Sequence, residues 1–491
     1  EDPHNVIIQT IGYGVQGARN EALLLNITDG RTRQLAHSPI RNGRFLTDSD
    51  HSVNLVAGLN EAGDYQVYLR TGGKGAFERV YSSRFGEGSL KPIMDAGVDG
   101  YYLFTDSASA PTRGLISWNP VTDDKISLFR HDNVDLDRFY VAPHPKVWAV
   151  RYVDHYPKYH YPDSNHPYVV LHQSLLASFP EDDVRIIDQT DDLSLAVVYV
   201  TGPQNPGTFY ILDTVNKTLN HRLDTRPWLN GRTLATMEPI EVTARDGLII
   251  RGYLTLPPGQ NQNLPLVVLV HGGPYGIADS WGFHYEVQLL AEHGYAVLQV
   301  NFRGSGGRGQ EFLRAGFGKW GQEMQNDVTD SVRYLIEEGT ADAERLCIFG
   351  ASYGAYSALV GAYRDPDLYR CAIGYAGIYD LPLMFRQGDA QQVLKGVNFL
   401  KSAIGTDQAE QRRRSPVFNA SLIKARVMLI HGKLDERAPF EHARRMRKAL
   451  IEAGNAPEWL VENREGHGFA RENNRLEMYT RILAFLDDNL K

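Results

Sequence analysis

Cysteine is nearly absent: Cys347 and Cys371 are the two in 491 residues. That excludes a disulfide scaffold and a cysteine zinc cluster. Two buried free thiols are the expectation. Long apolar runs are also missing. None approaches the roughly 18 residues of a membrane helix, so no span is expected. Basic excess is lacking too, with 51 lysine and arginine against 59 acidic residues and a formal charge of −8. A general nucleic-acid binder would carry a basic face. With 42 % hydrophobic and 22 % charged residues, the chain has the composition of a folded globular protein. It starts at Glu1 rather than Met, which leaves a removed leader open. A cytoplasmic compartment is the expectation, with periplasmic or secreted as the alternative. The sequons at Asn26, Asn216 and Asn419 are near chance frequency and do not bear on that choice.

At about 150 residues per domain, the length allows two large domains or three. The two halves differ. Residues 1 to about 232 repeat one unit: a strand, a tight polar turn, a second strand. It recurs around Asn26, Arg70, Asn119 and Asp213, at spacings of 44, 49 and 94 residues. A period of about 40–50 residues with several strands per unit is the mark of a β-propeller. A β-sandwich with irregular hairpins is the alternative. At about 45 residues per blade, the region holds about five. The slot between Asn119 and Asp213 is disturbed by the run 155–168 and by a helix-like VVLHQSLLASF. His155, His160, His166 and His172 lie there without tight ligand spacing, so a solvated or cavity-facing loop is expected rather than a metal site.

From about Glu238 the pattern changes. A hairpin turns on Asp246-Gly247. Apolar runs such as LPLVVLVHG, YAVLQVNF, RLCIFG and RVMLIHG then alternate with amphipathic stretches. This implies a doubly wound, mostly parallel sheet covered on both faces. The expected division is a propeller over 1–232 and an α/β-hydrolase domain over 233–491.

Gly350-Ala351-Ser352-Tyr353-Gly354 follows a strand and precedes a helix. G-x-S-x-G in that setting is a nucleophile elbow, a strained turn that lifts the serine hydroxyl above the sheet. The hydroxyl needs a base, and the base needs an orienting acid. In such sheets the order is serine, acid, histidine. Asp435 in HGKLDERAP and His467 in REGHGF stand 83 and 115 residues after the serine, each just past a strand. Glu436 and Glu465 are the rival acids, and His431 and His442 the other histidines nearby. The oxyanion of an acyl-transfer intermediate needs donors. The backbone N–H of Tyr353 is one candidate. The other is the N–H of Gly273 in His271-Gly272-Gly273-Pro274, with the His271 side chain as alternative.

Two features carry blander readings. Gly304, Gly306 and Gly309 match G-x-G-x-x-G, but this loop is not the first βα turn, and no acidic residue closes a suitable following strand. Nucleotide binding is therefore not expected. Arg412, Arg413 and Arg414 read as a solvated basic face.

Together, HGGP at 271–274, NFRGSGGRG at 301–309, GASYG at 350–354, HGKLDERAP at 431–439 and GHGF at 466–469 resemble the prolyl oligopeptidase family of serine peptidases. The resemblance covers nearly all of the C-terminal half. It is nearest to the acylaminoacyl-peptidase and bacterial oligopeptidase branch. It implies a propeller capping an α/β-hydrolase, with Ser352, Asp435 and His467 as triad and Tyr353 and Gly273 at the oxyanion. It implies hydrolysis of short peptides through an acyl-enzyme, without metal or other cofactor. No nucleic-acid or membrane partner is expected, and homo-oligomerisation is left open. There are two departures. The family propeller has seven or eight blades, against room for about five. The Glu-Glu pair of dipeptidyl-peptidase relatives, which binds the substrate amine, is missing from 1–232. Its nearest counterpart, Glu181-Asp182-Asp183, reads as a solvated turn. A dipeptidyl or aminopeptidase, a carboxylesterase and an inactive propeller interaction protein are the competing functions.

Overall fold

The computed structural model describes residues 3–11, 19–48, 50–84, 87–98, 100–142, 146–190, 192–392 and 394–491. The N-terminal part is a series of five small antiparallel sheets over 5–37, 44–83, 90–129, 136–160 and 183–224. These are the propeller blades. Strands alternate by face, as a pleated ribbon requires. In Leu195–Gly202, for example, Ala196, Val198 and Val200 are buried while the residues between them are not. Apolar side chains bridge neighbouring blades. Leu55, Phe104 and Trp118 join the second blade to the third. Trp148 and Ala149 meet Val184 and Val198 between the fourth and fifth.

The recurring hairpin has a local cause. Asn26, Asn119 and Asp213 each end a strand, and each side-chain oxygen accepts hydrogen bonds from the backbone N–H groups two and three residues on. Such Asx turns reverse the chain without help from the rest of the fold. Around Arg70 the reversal instead uses Gly72 and Gly73, both with positive φ.

In the histidine-rich run the expected loop is confined to 161–166, and the helix-like stretch is indeed a helix. Tyr156–His160 is the third strand of the fourth blade, and Pro167–Ser178 is a helix. His172 is fully buried. One ring nitrogen meets the Tyr161 hydroxyl at 2.8 Å and the other the Val184 carbonyl at 2.7 Å.

The C-terminal part is one eight-stranded sheet. Its strands are β1 (Met237–Thr243), β2 (Ile249–Thr255), β3 (Leu264–Val270), β4 (Ala296–Asn301), β5 (Ala341–Ala351), β6 (Cys371–Tyr375), β7 (Arg426–Gly432) and β8 (Glu458–Glu462). Their order is β1-β2-β4-β3-β5-β6-β7-β8. The β1–β2 hairpin and the β2–β4 pair are antiparallel, and all other pairs are parallel. β3 and β4 are buried along their whole length, as strands covered on both faces must be. Helices α1 (Tyr285–Glu292) and α5 (Glu472–Leu490) cover one face. Helices α2 (Glu323–Glu337), α3 (Tyr353–Arg364) and α4 (Glu441–Glu452) cover the other.

Cys347 and Cys371 stand opposite each other in the β5–β6 register and form a disulfide. This corrects the expectation of free thiols. Twenty-four residues and a helix separate them along the chain, so only the parallel pairing brings them together.

The propeller touches the sheet near its C-terminal edge. The Asp135 N–H donates to the Gly307 carbonyl at 2.9 Å, and the Gln310 N–H donates to that of Pro111 at 2.8 Å. The Tyr253 hydroxyl donates to the His155 carbonyl at 2.9 Å. No helix among the described residues is long and apolar enough to cross a membrane.

Candidate active site

β5 ends at Ala351, and α3 begins at Tyr353. Ser352, between them, has φ 58° and ψ −118°, a conformation costly for any residue with a Cβ. Its neighbours make the turn feasible. A Cβ on Gly350 would overlap the Gly354 backbone, and one on Gly354 would overlap the Val270 carbonyl. Both glycines are therefore required by space.

The Ser352 Oγ lies 3.0 Å from Nε2 of His467, whose Nδ1 lies 2.8 Å from Oδ2 of Asp435. The elbow, the β7 loop and the β8 loop thus bring the three sequence candidates into one hydrogen-bonded line. The Asp435 side chain is fully buried, while that of His467 stays about a quarter exposed. Burial works against the charge on Asp435. Hydrogen bonds from His431, His467 and the Ala438 N–H outweigh it and hold the carboxyl well below the usual range. Its Oδ1 accepts from the N–H groups of Arg437 at 2.9 Å and Ala438 at 2.8 Å.

The rivals have other work. Glu436 is exposed. Glu465 is buried, and its carboxylate accepts from the Ala470 and Arg471 N–H groups and from Asn474, which ties the histidine loop to α5. His431 is also buried; its Nε2 donates to the Ala438 carbonyl at 2.8 Å and lies 3.3 Å from the same Asp435 oxygen that meets His467. The sequence reading missed this second histidine on the acid. His442 on α4 accepts the Tyr379 and Asp380 N–H groups through Nδ1.

The turn at 271–274 lies against the elbow: a Cβ on Gly272 would be 3.4 Å from the Ser352 Cβ. The Tyr353 N–H is in the first turn of α3, where no intrahelical acceptor exists. Both His271 nitrogens are engaged, Nδ1 with the Gly272 carbonyl at 2.8 Å and Nε2 with the Ser305 hydroxyl at 3.0 Å. The ring stacks on Phe302 and holds the turn.

The glycine-rich loop meets protein. A Cβ on Gly306 would lie 2.5 Å from the Gly276 carbonyl oxygen, and one on Gly309 would lie 2.5 Å from that of Pro111. Arg303 pins the loop through ion pairs of 2.7 Å to Asp327 and to Asp246. Arg414 corrects the solvated-face reading. It is buried, and its guanidinium donates to the carbonyls of Ile404, Gly318 and Glu410.

Residues 281–491 match the prolyl oligopeptidase family. Over those residues the chain is similar to that family. It is 29 % identical over 470 residues to dipeptidyl aminopeptidase BIII of Pseudoxanthomonas mexicana, covering 92 % of this chain and 67 % of that protein. It is 28 % identical over 243 residues to the acylamino-acid-releasing enzyme of Rattus norvegicus, covering 48 % of this chain and 32 % of the relative. Against dipeptidyl peptidase family member 6 of Caenorhabditis elegans, the chain spans about half the relative's length, 49 %. Among solved structures, a puromycin-hydrolyzing peptidase of Mycobacterium tuberculosis superposes with a TM-score of 0.78 at 18 % identity, over all of this chain and 78 % of that one. An acylaminoacyl peptidase of Pyrococcus horikoshii gives 0.73 at 19 % identity, again over all of this chain and 78 % of the other. At these identities the shared property is the fold. Among the described residues the N-terminal part forms five sheets, the number that the repeat spacing predicts.

Proposed function

We propose that this chain is a serine peptidase of short peptides, acylaminoacyl-peptidase-like or an oligopeptidase, with a propeller domain over 1–232 and a catalytic domain over 233–491. The unbroken line from Ser352 through His467 to Asp435 carries the reading. Ser352 attacks the peptide carbonyl as Nε2 of His467 takes its proton. Asp435 fixes the imidazole tautomer and stabilises the imidazolium. The N–H groups of Tyr353 and Gly273 receive the developing oxyanion. His467 returns its proton to the leaving amine, and water hydrolyses the acyl-enzyme. No step calls for a metal or cofactor.

A dipeptidyl reading has one observation behind it: a relative aligned over 92 % of the chain is a dipeptidyl aminopeptidase. Opposing it, the nearest acidic cluster in 1–232 is already engaged. Asp183 is buried between Arg151 and Arg185, at 3.0 and 2.7 Å. Asp182 accepts from Asn205. With Asp183 neutralised by two arginines, a substrate ammonium would meet only the exposed Glu181 and the Asn205-bound Asp182 there, not a buried Glu-Glu pair. Turnover of Ala-Ala-p-nitroanilide beside its N-acetylated form tests the choice. Comparable or better cleavage of the acetylated form is expected; cleavage of the free amine alone would make the chain a dipeptidyl or aminopeptidase. Fluorophosphonate labelling of Ser352 tests for an inactive interaction protein. Faster turnover of p-nitrophenyl esters than of any peptide amide would favour a carboxylesterase.

A further inference from the structure

A cavity of about 800 Å³ opens beside the candidate triad, between α1 and the first turns of α5. Ala351 and Gly468 line it, the residues directly before Ser352 and directly after His467. Gly468 sets the cavity next to the loop that carries the imidazole, the group that hands a proton to the leaving amine. Phe283, Tyr285 and Tyr479 supply aromatic walls, and Glu286 adds a carboxylate.

Glu286 is incompletely satisfied. Its carboxylate accepts the Tyr479 hydroxyl at 2.8 Å. Among the described residues, no ion pair is formed with it. Burial pushes its pKa up, against the opposing pull of Tyr479, His284 and Arg475. Arg226 and Arg475 also line the cavity, each over a ring, Arg226 4.9 Å from the Phe283 centroid and Arg475 5.7 Å from that of Tyr285; Arg475 acts on Glu286 at a distance without closing an ion pair with it. The walls thus already accept guanidinium groups on their faces, the electrostatic preference of aromatic rings. A half-buried carboxylate with one hydroxyl partner and no ion pair leaves room for a second cationic partner, which a ligand could supply.

We infer that this cavity is a leaving-side subsite, and that Glu286 selects peptides carrying lysine or arginine one or two residues after the scissile bond. The inference rests on the hydrolase reading above. It concerns the departing segment, so it holds whether the acyl side is blocked or free.

The test uses internally quenched peptides with one acyl side and Lys, Leu or Glu at the first or second leaving position. Wild type should show kcat/KM for Lys about tenfold above Leu, the equivalent of one well-placed charge contact, and further above Glu. Glu286→Gln should bring Lys and Leu within about twofold, and Glu286→Lys should raise Glu above Lys. Should the variants fail to fold by thermal melt, inhibition of wild type decides: lysine amide should inhibit about tenfold better than norleucine amide. Turnover of an acyl p-nitroanilide separates the two levels. Anilide cleavage with equal rates for Lys, Leu and Glu overturns the subsite alone. Absence of both anilide cleavage and fluorophosphonate labelling overturns the hydrolase reading and the subsite with it.

Discussion

At the scale of single residues, the line Ser352–His467–Asp435 makes unequal demands on its members. Ser352→Ala removes the nucleophile and His467→Ala the base, so each should cut kcat by about 10⁴–10⁶. Asp435→Asn leaves the base in place and should cost less. Glu436→Gln, at an exposed position, should change little. Rates on a p-nitroanilide peptide check all four. Retained activity in Asp435→Asn with loss in Glu436→Gln would move the acid to Glu436. His431 extends the argument. It is a positioning residue, contacting the acid rather than substrate. Hydrogen bonds to charged groups are worth about 1.5–3 kcal/mol. His431→Phe should therefore lower kcat roughly tenfold or more while leaving KM nearly unmoved, and His431→Gln should recover part of the loss. A change confined to KM would assign His431 to packing alone.

Individual elements carry the site, and two of them set limits that can be measured. The β5–α3 elbow works only because β3 and α3 approach closely at Gly354. A Cβ there meets backbone, which cannot rotate away as a side chain can. Gly354→Ala should lower the melting temperature sharply and abolish activity, an overpacking cost of about 1–3 kcal/mol or more. A variant with wild-type melting would contradict the close approach. Helix α4 brings a buried histidine behind the acid loop. Burial lowers the pKa of His442 to about 3, with the nearby guanidinium of Arg445 adding to the effect. A histidine whose folded pKa is depressed is held neutral by the fold, while the unfolded chain takes up a proton near pH 6.5. Stability from this group is complete above about pH 6.5 and falls as pH drops toward 3, by an amount on the order of a few kcal/mol. Melting temperatures between pH 7.5 and 4.5 should show the loss, and His442→Asn, whose side-chain oxygen can accept the same N–H groups, should reduce it. Equal pH slopes in both proteins would assign the acid sensitivity elsewhere.

For the whole molecule, the question is what reaches Ser352. A cavity of about 440 Å³ is shared by the two halves, with Tyr65 and Arg113 from the propeller facing Tyr275 and Phe317 from the catalytic side. Tyr275 directly follows the 271–274 turn. A space of that size admits side chains or an extended strand, whereas a folded domain must stay outside. Short peptides should be cleaved and folded proteins left intact, while unfolding the same protein and digesting it to fragments should make it a substrate. Mass spectrometry of both digests reads the outcome. Cleavage of the native protein at rates near those of its fragments would show that the propeller does not restrict access.

Local chemistry made much of this legible in advance. The Asx turns at Asn26, Asn119 and Asp213 depend on neighbours two and three residues away, so the blade period could be read from the chain. The elbow likewise follows from two glycines around Ser352 between a strand and a helix, and the triad candidates from their places just past strand ends. What the sequence left open depended on contacts that only the folded chain makes. Cys347 and Cys371 looked like isolated thiols until the parallel register set them side by side. Arg414 looked solvated because one of its carbonyl acceptors, Gly318, lies 96 residues away along the chain. His431 looked like an ordinary strand residue because its second contact lies on a loop that folds back over β7. Glu286 stood out in no motif, since its cavity is assembled from α1, α5 and the two catalytic loops. Hydrogen bonds within a turn are written into a few adjacent residues; burial and side-chain neighbours across a sheet exist only once the whole chain has packed.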